Sequence, residues 1–131
     1  MKKKISMDFD HTMTRKDFRS IAEHLISQGY EVWIVTSRCD TEFANSKGWH
    51  WVDKSNHKLL RVADDIGINH KHIIFTNFIN KIIFLEGNDF VFHLDDDVDE
   101  LIEIQKSKDN CKPINVEHMD WERDCREVLT K

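Results

Sequence analysis

Proline and glycine are scarce in this chain, which has one proline and four glycines among 131 residues. It therefore has no Pro- or Gly-rich linker, no repeat and no low-complexity segment, and we expect residues 1–131 to form one domain around one core. No apolar run is long enough to span a membrane, and none follows Met1 as a signal peptide requires. These absences favour a cytoplasmic protein without a membrane partner.

Long blocks of one charge are also missing. The formal net charge is -5, from 19 basic and 24 acidic side chains distributed along the chain. Nucleic-acid binding usually requires a strongly basic surface. The sequence therefore predicts no strong nucleic-acid footprint, and any contact with a nucleic acid would have to be local.

Cysteine is too sparse for a disulfide framework. The three cysteines are Cys39, Cys111 and Cys125. Their odd number and the lack of CxxC spacing predict free thiols. His70 and His72 could share a metal with Cys111 or His118, but the spacing fits no structural zinc pattern, and surface and turn histidines are the favoured interpretation.

Apolar stretches and helical periodicities alternate along the chain. The predicted strands are 4–7, 31–35, 72–75, 90–94 and 113–116, and the predicted helices are 16–28, 59–66, 81–86, 101–105 and 120–129. Residues 40–57 are the least regular segment. This alternation predicts an α/β fold, a doubly wound three-layer arrangement with a parallel sheet and crossover helices on both faces.

Acidic residues follow two of these strands, where sites in parallel sheets form. Candidate segments are 8–12, 36–38 and 95–99, just past the first, second and fourth strands. Two carboxylate clusters at one edge would repel each other unless a divalent cation lay between them, and oxygen ligands suit Mg²⁺. Helix capping by Asp explains one acid per segment, not the whole set.

A calcium loop is excluded on spacing. Asp8, Asp10 and Thr12 occupy the first, third and fifth places of an EF-hand loop. Met13 then stands where the turn needs glycine, and Arg19 where a bidentate glutamate is required. The run after the fourth strand fails in the same way.

Four motifs in order resemble those of the haloacid dehalogenase-like hydrolase superfamily. They are a strand ending in DFDHT, a strand ending in TSR, a lysine, and a strand ending in DDD. The resemblance implies a sheet of order 5-4-1-2-3 and a Mg²⁺-dependent phosphatase that works through an aspartyl-phosphate. Only about four residues separate Thr12 from the next helix, so we expect no full cap domain.

The resemblance also implies catalytic roles. Asp8 would be the nucleophile and a metal ligand, and Asp10 the general acid and base, with its backbone carbonyl on the metal. Lys81 would bind the phosphoryl oxygens and balance Asp8. Thr36 is preferred over Ser37 as the hydroxyl donor to the phosphoryl group.

The remaining implied residues bind the metal or the substrate. Asp95 and Asp96 would complete the Mg²⁺ site, and Asp97 or Asp99 would cap the next helix. The substrate-binding residues would be Thr12, Ser37 and Arg38.

Two further features leave alternatives open. His11 stands where many members have glycine, either as a bystander or as a substrate contact. Trp49 and Trp51 either pack beneath the irregular segment or stack a base. Because a site without a cap is open, the substrate class extends by analogy to nucleotides and nucleic-acid ends.

Two other functions compete with this one. A protein of the same fold could bind a metal or a phosphorylated ligand without turnover and act through a protein partner. A receiver domain of a signalling relay would carry its acceptor Asp at the end of the third strand, and HIIFTN has none.

Overall fold

The sheet orders its strands as the sequence predicts. A computed structural model describes residues 2–130 and contains five parallel strands in the order β3-β2-β1-β4-β5. They are β1 (Lys4–Met7), β2 (Glu31–Thr36), β3 (Ile73–Phe75), β4 (Phe90–Asp95) and β5 (Lys112–Asn115). Read from its other edge, this is the expected order 5-4-1-2-3, which is confirmed. The described residues include no inserted cap domain.

Six helices flank this sheet. They are α1 (Lys16–Ser27), α2 (Thr41–Ser46), α3 (Trp51–Ile66), α4 (Ile82–Leu85), α5 (Val98–Ser107) and α6 (Trp121–Leu129). The larger apolar cluster contains buried residues of α1, α3 and α6, and a separate cluster contains those of α4 and α5. Helices therefore cover both faces, which confirms the doubly wound three-layer α/β fold.

Residues 40–57 are largely helical, so the prediction of an irregular segment was wrong. Helix α2 begins after Asp40, whose Oδ1 accepts a hydrogen bond from the amide of Phe43 at 2.7 Å. The helix has only six residues and a single fully buried side chain, Ala44. So short an element carries too little periodicity for the sequence to reveal it.

Helix α3 begins at Trp51, eight residues before the predicted start at 59. Its inward face continues from Leu59 back through Asn56 to Val52, all buried. Polar Asn56 interrupts the apolar helical periodicity, so the sequence does not reveal the first turns of α3. Its Nδ2 donates to the carbonyl of Cys39 at 2.8 Å. A buried amide satisfied in this way ties α3 to the loop after β2.

The remaining sequence predictions concern thiols, histidines and membranes. All three cysteines are free, as predicted, and all three are buried. Among residues 2–130, no cluster of side chains close enough to hold a metal ion combines the histidines with Cys111. His70 instead contacts Asp64, and His72 stacks on Trp33. No helix in the described part of the chain has both the length and the apolar character to cross a bilayer.

Asn56→Ala should lower the free energy of unfolding by about 1 to 3 kcal/mol, because it leaves the carbonyl of Cys39 buried without its donor. Equilibrium urea denaturation measures this difference. The matched control is Asn45→Ala on the exposed surface of α2, expected to change stability by less than about 0.5 kcal/mol. Equal effects of the two substitutions would contradict the assigned packing of α3.

Candidate active site

The predicted catalytic residues meet at the carboxyl edge of the sheet. A cavity of about 260 Å³ opens there between the segments that follow β1, β2 and β4 and the start of α4. Its lining residues are Asp8, Asp10, His11, Ser37, Lys81, Asp95, Asp96 and Asp97. Because β1 lies between β2 and β4, the ends of all three strands open into one space.

Lys81 joins two buried carboxylates at the base of this cavity. Its Nζ lies 2.8 Å from Oδ1 of Asp8 and 2.6 Å from Oδ2 of Asp95. The exposed fraction is 2% for Lys81, 5% for Asp8 and 0% for Asp95. The amide of Asp8 also donates to the carbonyl of Leu94 at 2.8 Å, so the end of β1 is fastened beside the end of β4. Charged groups this deeply buried require such pairing.

The two carboxylates differ in protonation. Burial, followed by repulsion from Asp95, raises the pKa of Asp8 to about 8 despite the charge of Lys81. Burial would also raise the pKa of Asp95, but the hydrogen bond from His93 and the charge of Lys81 outweigh it and lower that pKa. The pKa of Lys81, which burial would lower, is raised by both carboxylates. The surroundings of Asp95 therefore favour its ionised form, and burial favours the protonated form of Asp8.

A divalent cation fits the acidic side of the cavity. One carboxylate oxygen from each of Asp8, Asp95 and Asp96 lies within 4.8 Å of the other two. An all-oxygen donor set suits Mg²⁺, and a cation here would favour the ionised form of Asp8. Asp10 is not a member of this group, and the predicted contact through its backbone carbonyl stays a prediction.

Asp10 makes a different contact from the one expected of a free proton donor. Its two carboxylate oxygens accept from Nε and Nη2 of Arg38 at 2.9 and 2.8 Å. The hydrogen bond and charge of Arg38 hold the pKa of Asp10 below its usual value. Arg38 also donates to the carbonyl of Ser55 at 3.0 Å and lies over the ring of Phe9. Asp10 is thus an anion, suited to accept a proton before it can donate one.

His11 occupies a backbone conformation that favours glycine. His11 has φ 61° and ψ 5°, a left-handed conformation in which glycine avoids the strain caused by a Cβ. The side chain is exposed and lines the cavity. The position gives His11 access to a ligand in the cavity, and its contact with a substrate stays a prediction.

Of the predicted hydroxyl residues, only Ser37 reaches the cavity. Thr36 and Thr12 are fully buried and do not line it. The Oγ1 of Thr36 accepts a hydrogen bond from the amide of Arg38 at 3.2 Å, which stabilises the turn after β2. This placement favours Ser37 over Thr36 as the phosphoryl contact, and it gives Thr12 no direct path to a substrate.

A buried hydrogen-bonded pair behind Asp95 was missed by the sequence analysis. His93 contacts Oγ of Ser6 through Nδ1 and Oδ2 of Asp95 through Nε2, both at 2.7 Å. Burial lowers the pKa of His93, so the ring is neutral; because the carboxylate only accepts, Nε2 carries the proton. Polar residues at register-paired positions of β1 and β4 were the available signal.

Helix α5 supports the site through its first turn. Oδ1 of Asp97 accepts from the amides of Asp99 and Glu100, at 3.0 and 3.4 Å, so the predicted helix cap is confirmed at Asp97. Oε2 of Glu100 then accepts from the amide of Lys81 at 2.8 Å. The start of α4, and with it Lys81, is thereby fixed against α5.

The two tryptophans lie in different environments. Trp49 is half-buried, with its ring 6.2 Å from that of Phe43 and 6.3 Å from that of Phe78. Trp51 is 69% exposed at the start of α3. Packing therefore describes Trp49, whereas Trp51 is free to contact a ligand.

Comparisons with known proteins identify no relative. No family model, no curated protein and no solved structure matches this chain. The fold and the geometry of the cavity are therefore the structural basis for a function.

Lys81→Met should lower the free energy of unfolding by about 3 to 5 kcal/mol, because it leaves two buried carboxylates facing each other. Added Mg²⁺ should recover a larger share of stability in the variant than in wild type, since it replaces the lost positive charge. Urea denaturation with and without Mg²⁺ measures both effects. Lys112→Met, at an exposed position, is the control, and a loss no greater than that of the control would refute the assigned role.

His93→Phe should lower the free energy of unfolding by about 1 to 3 kcal/mol, because it removes the donor to Asp95 and leaves Ser6 unpaired. Ser6→Ala removes only the outer hydrogen bond and should cost about 1 kcal/mol. In a double-mutant cycle measured by urea denaturation, the two changes should be strongly non-additive. Additive effects would show that the pair does not act as one network.

Proposed function

We propose that this protein is a Mg²⁺-dependent phosphomonoesterase of the haloacid dehalogenase-like superfamily. The observation that carries the proposal is the contact of Lys81 with both Asp8 and Asp95, with Asp96 beside them. A nucleophile, a phosphoryl-binding cation and a metal site need this proximity. The order of the four sequence motifs supports the same conclusion.

Asp8 performs nucleophilic attack. One carboxylate oxygen of Asp8 forms a bond to phosphorus while the bond from phosphorus to the ester oxygen breaks, which gives an aspartyl-phosphate and the alcohol. Lys81 and the hydroxyl of Ser37 bind the phosphoryl oxygens. Asp8, Asp95 and Asp96 would hold Mg²⁺, which would neutralise charge on the phosphate and favour the ionised form of Asp8. Water then attacks phosphorus while the bond from phosphorus to the Asp8 oxygen breaks, which releases inorganic phosphate and regenerates the Asp8 carboxylate.

Asp10 acts as the general acid in the first step and the general base in the second. Once it has taken a proton from solvent, it protonates the leaving oxygen, and as the resulting carboxylate it then takes a proton from the attacking water. Since the pKa of Asp10 is lowered by Arg38, the first step requires substrate to loosen the contact between them. The guanidinium would then be released to bind the phosphate or its ester group.

The arrangement around Asp10 also supports a second candidate, a module that binds metal or phosphate without turnover and acts through a protein partner. A carboxylate held by two hydrogen bonds to Arg38 lacks the proton that a general acid must deliver. We give this candidate second place because Asp8, Lys81 and Asp95 retain the complete set for phosphoryl transfer.

Compartment and substrate belong to the same proposal. Three buried free thiols agree with a reducing compartment, and we propose the cytoplasm. The open cavity agrees with a phosphorylated substrate larger than the cavity itself, including a nucleotide or a nucleic-acid end.

Asp8→Asn should lower hydrolysis of an aryl phosphate in Mg²⁺ by at least about 10³-fold, because it removes the nucleophile. Asp10→Asn should slow formation and breakdown of the phospho-enzyme while largely preserving Mg²⁺ binding. Steady-state hydrolysis and calorimetric Mg²⁺ titration measure these effects, with exposed Asp89→Asn as the control. If wild type and Asp8→Asn were equally inactive on aryl phosphates and nucleotides yet bound Mg²⁺, the non-catalytic candidate would replace the enzyme.

A further inference from the structure

Helix α3 carries a row of unpartnered side chains on its outer surface. Trp51, Lys54, Lys58 and Arg61 are spaced by three or four residues, so they share one face of the helix. All four are exposed. Within residues 2–130, the three cationic side chains make neither an ion pair nor a hydrogen bond. We call these four residues the α3 row.

A groove lies beside the α3 row and has a net positive charge. Its volume is about 740 Å³, and α1 and α3 form its walls. Besides the three cations of the row, Arg19 lines it, against the carboxylates of Glu23 and Asp65. His57 also lines it and lies 3.5 Å from Asp53. An excess of cations here contrasts with the net charge of -5 for the whole chain.

One end of the groove lies near the candidate active site. Arg19 donates to the carbonyls of Met13 and Thr14, directly after the turn that carries Asp10. Arg38, which holds Asp10, also donates to the carbonyl of Ser55 in the second turn of α3. The first turns of α3 are therefore beside the cavity.

The direction of α3 leads the row away from the site. A helix that connects two parallel strands runs back from the carboxyl edge, so Trp51 and Lys54 lie near the cavity and Arg61 lies farther from it. From Trp51 to Arg61 the row is about 15 Å long, at about 1.5 Å of rise per residue. Its length suits a flexible polymer with several negative charges.

We propose that the α3 row binds single-stranded nucleic acid. Cationic side chains that track a phosphate backbone, combined with an exposed aromatic ring on which a base stacks, are the elements of such binding. An acidic peptide would use the lysines without needing Trp51, and a duplex keeps its bases away from the ring. The contact with the nucleic acid is confined to the α3 row, because the chain as a whole has a net charge of -5.

The proposal deepens the proposed function of the same site and rests on it in one respect. If Asp8 acts on phosphomonoesters, a strand lying along the α3 row would present its terminal phosphate to the cavity. Polymer binding itself requires no chemistry at Asp8. The two parts can therefore be tested separately.

The test of the row uses fluorescence anisotropy with a labelled oligothymidylate of about ten nucleotides that has no terminal phosphate. The triple substitution K54Q/K58Q/R61Q should weaken binding at least about tenfold. It should also reduce the slope of log K against log salt by about two, since each phosphate contact in a single strand contributes about 0.7. K71Q/K106Q/K112Q removes the same charge from exposed positions elsewhere and should leave binding near that of wild type.

Stacking is tested separately at Trp51. Trp51→Ala should weaken binding of the same oligonucleotide about fivefold or more, because it removes the face on which a base stacks. Trp51→Phe keeps an aromatic face and should retain most of the affinity. Equal losses in the two variants would refute stacking at this position.

Several results would overturn the proposal. They are absence of binding by wild type at low salt, equal losses in the two triple variants, equal affinity for a duplex of the same length, and displacement of the oligonucleotide by polyglutamate at equal charge. Failure of the phosphatase proposal would appear differently, as absence of aryl phosphate hydrolysis while the unphosphorylated oligonucleotide still binds.

Discussion

One ammonium group between two buried carboxylates is the interaction on which this structure depends. Lys81 contacts Asp8 and Asp95 where neither carboxylate has appreciable access to water. The contact requires β1 and β4 to be neighbours and α4 to begin beside them, which the strand order provides. Removing the ammonium would leave Asp8 buried without this partner and Asp95 with His93 as its remaining side-chain donor, so their desolvation would be poorly offset. The sheet topology and the site are therefore parts of one arrangement.

The site is asymmetric because its two carboxylates have different surroundings. His93 and Lys81 both donate to Asp95 and keep it ionised, whereas burial and repulsion raise the pKa of Asp8 to about 8. A cation beside Asp96 would remove that difference by favouring the charged form of Asp8. Metal binding and activation of the nucleophile would then be the same event, and this gives the acidic cluster a purpose beyond helix capping.

The sequence predicts the sheet well and the contacts between loops poorly. Buried strands of a parallel sheet are continuous apolar runs, so their positions were accessible, whereas their order and the meeting of Asp8 with Asp95 followed from the resemblance to the haloacid dehalogenase-like superfamily. The start of α3 was not, because polar Asn56 occupies an inward position. Nor was the pairing of Asp10 with Arg38, since a contact between two loops has no periodic pattern. His93 was also missed, because it is a single polar residue within an apolar strand.

Detection of the covalent intermediate at Asp8 tests the central claim most directly. Enzyme mixed with an aryl phosphate and Mg²⁺ is quenched within a turnover and reduced with borohydride, which converts a phosphorylated aspartate to homoserine, and the peptides are then analysed by mass spectrometry. We predict conversion at Asp8 alone, dependent on both Mg²⁺ and substrate. Hydrolysis that proceeds without conversion at Asp8, or with conversion at another carboxylate, would contradict the account.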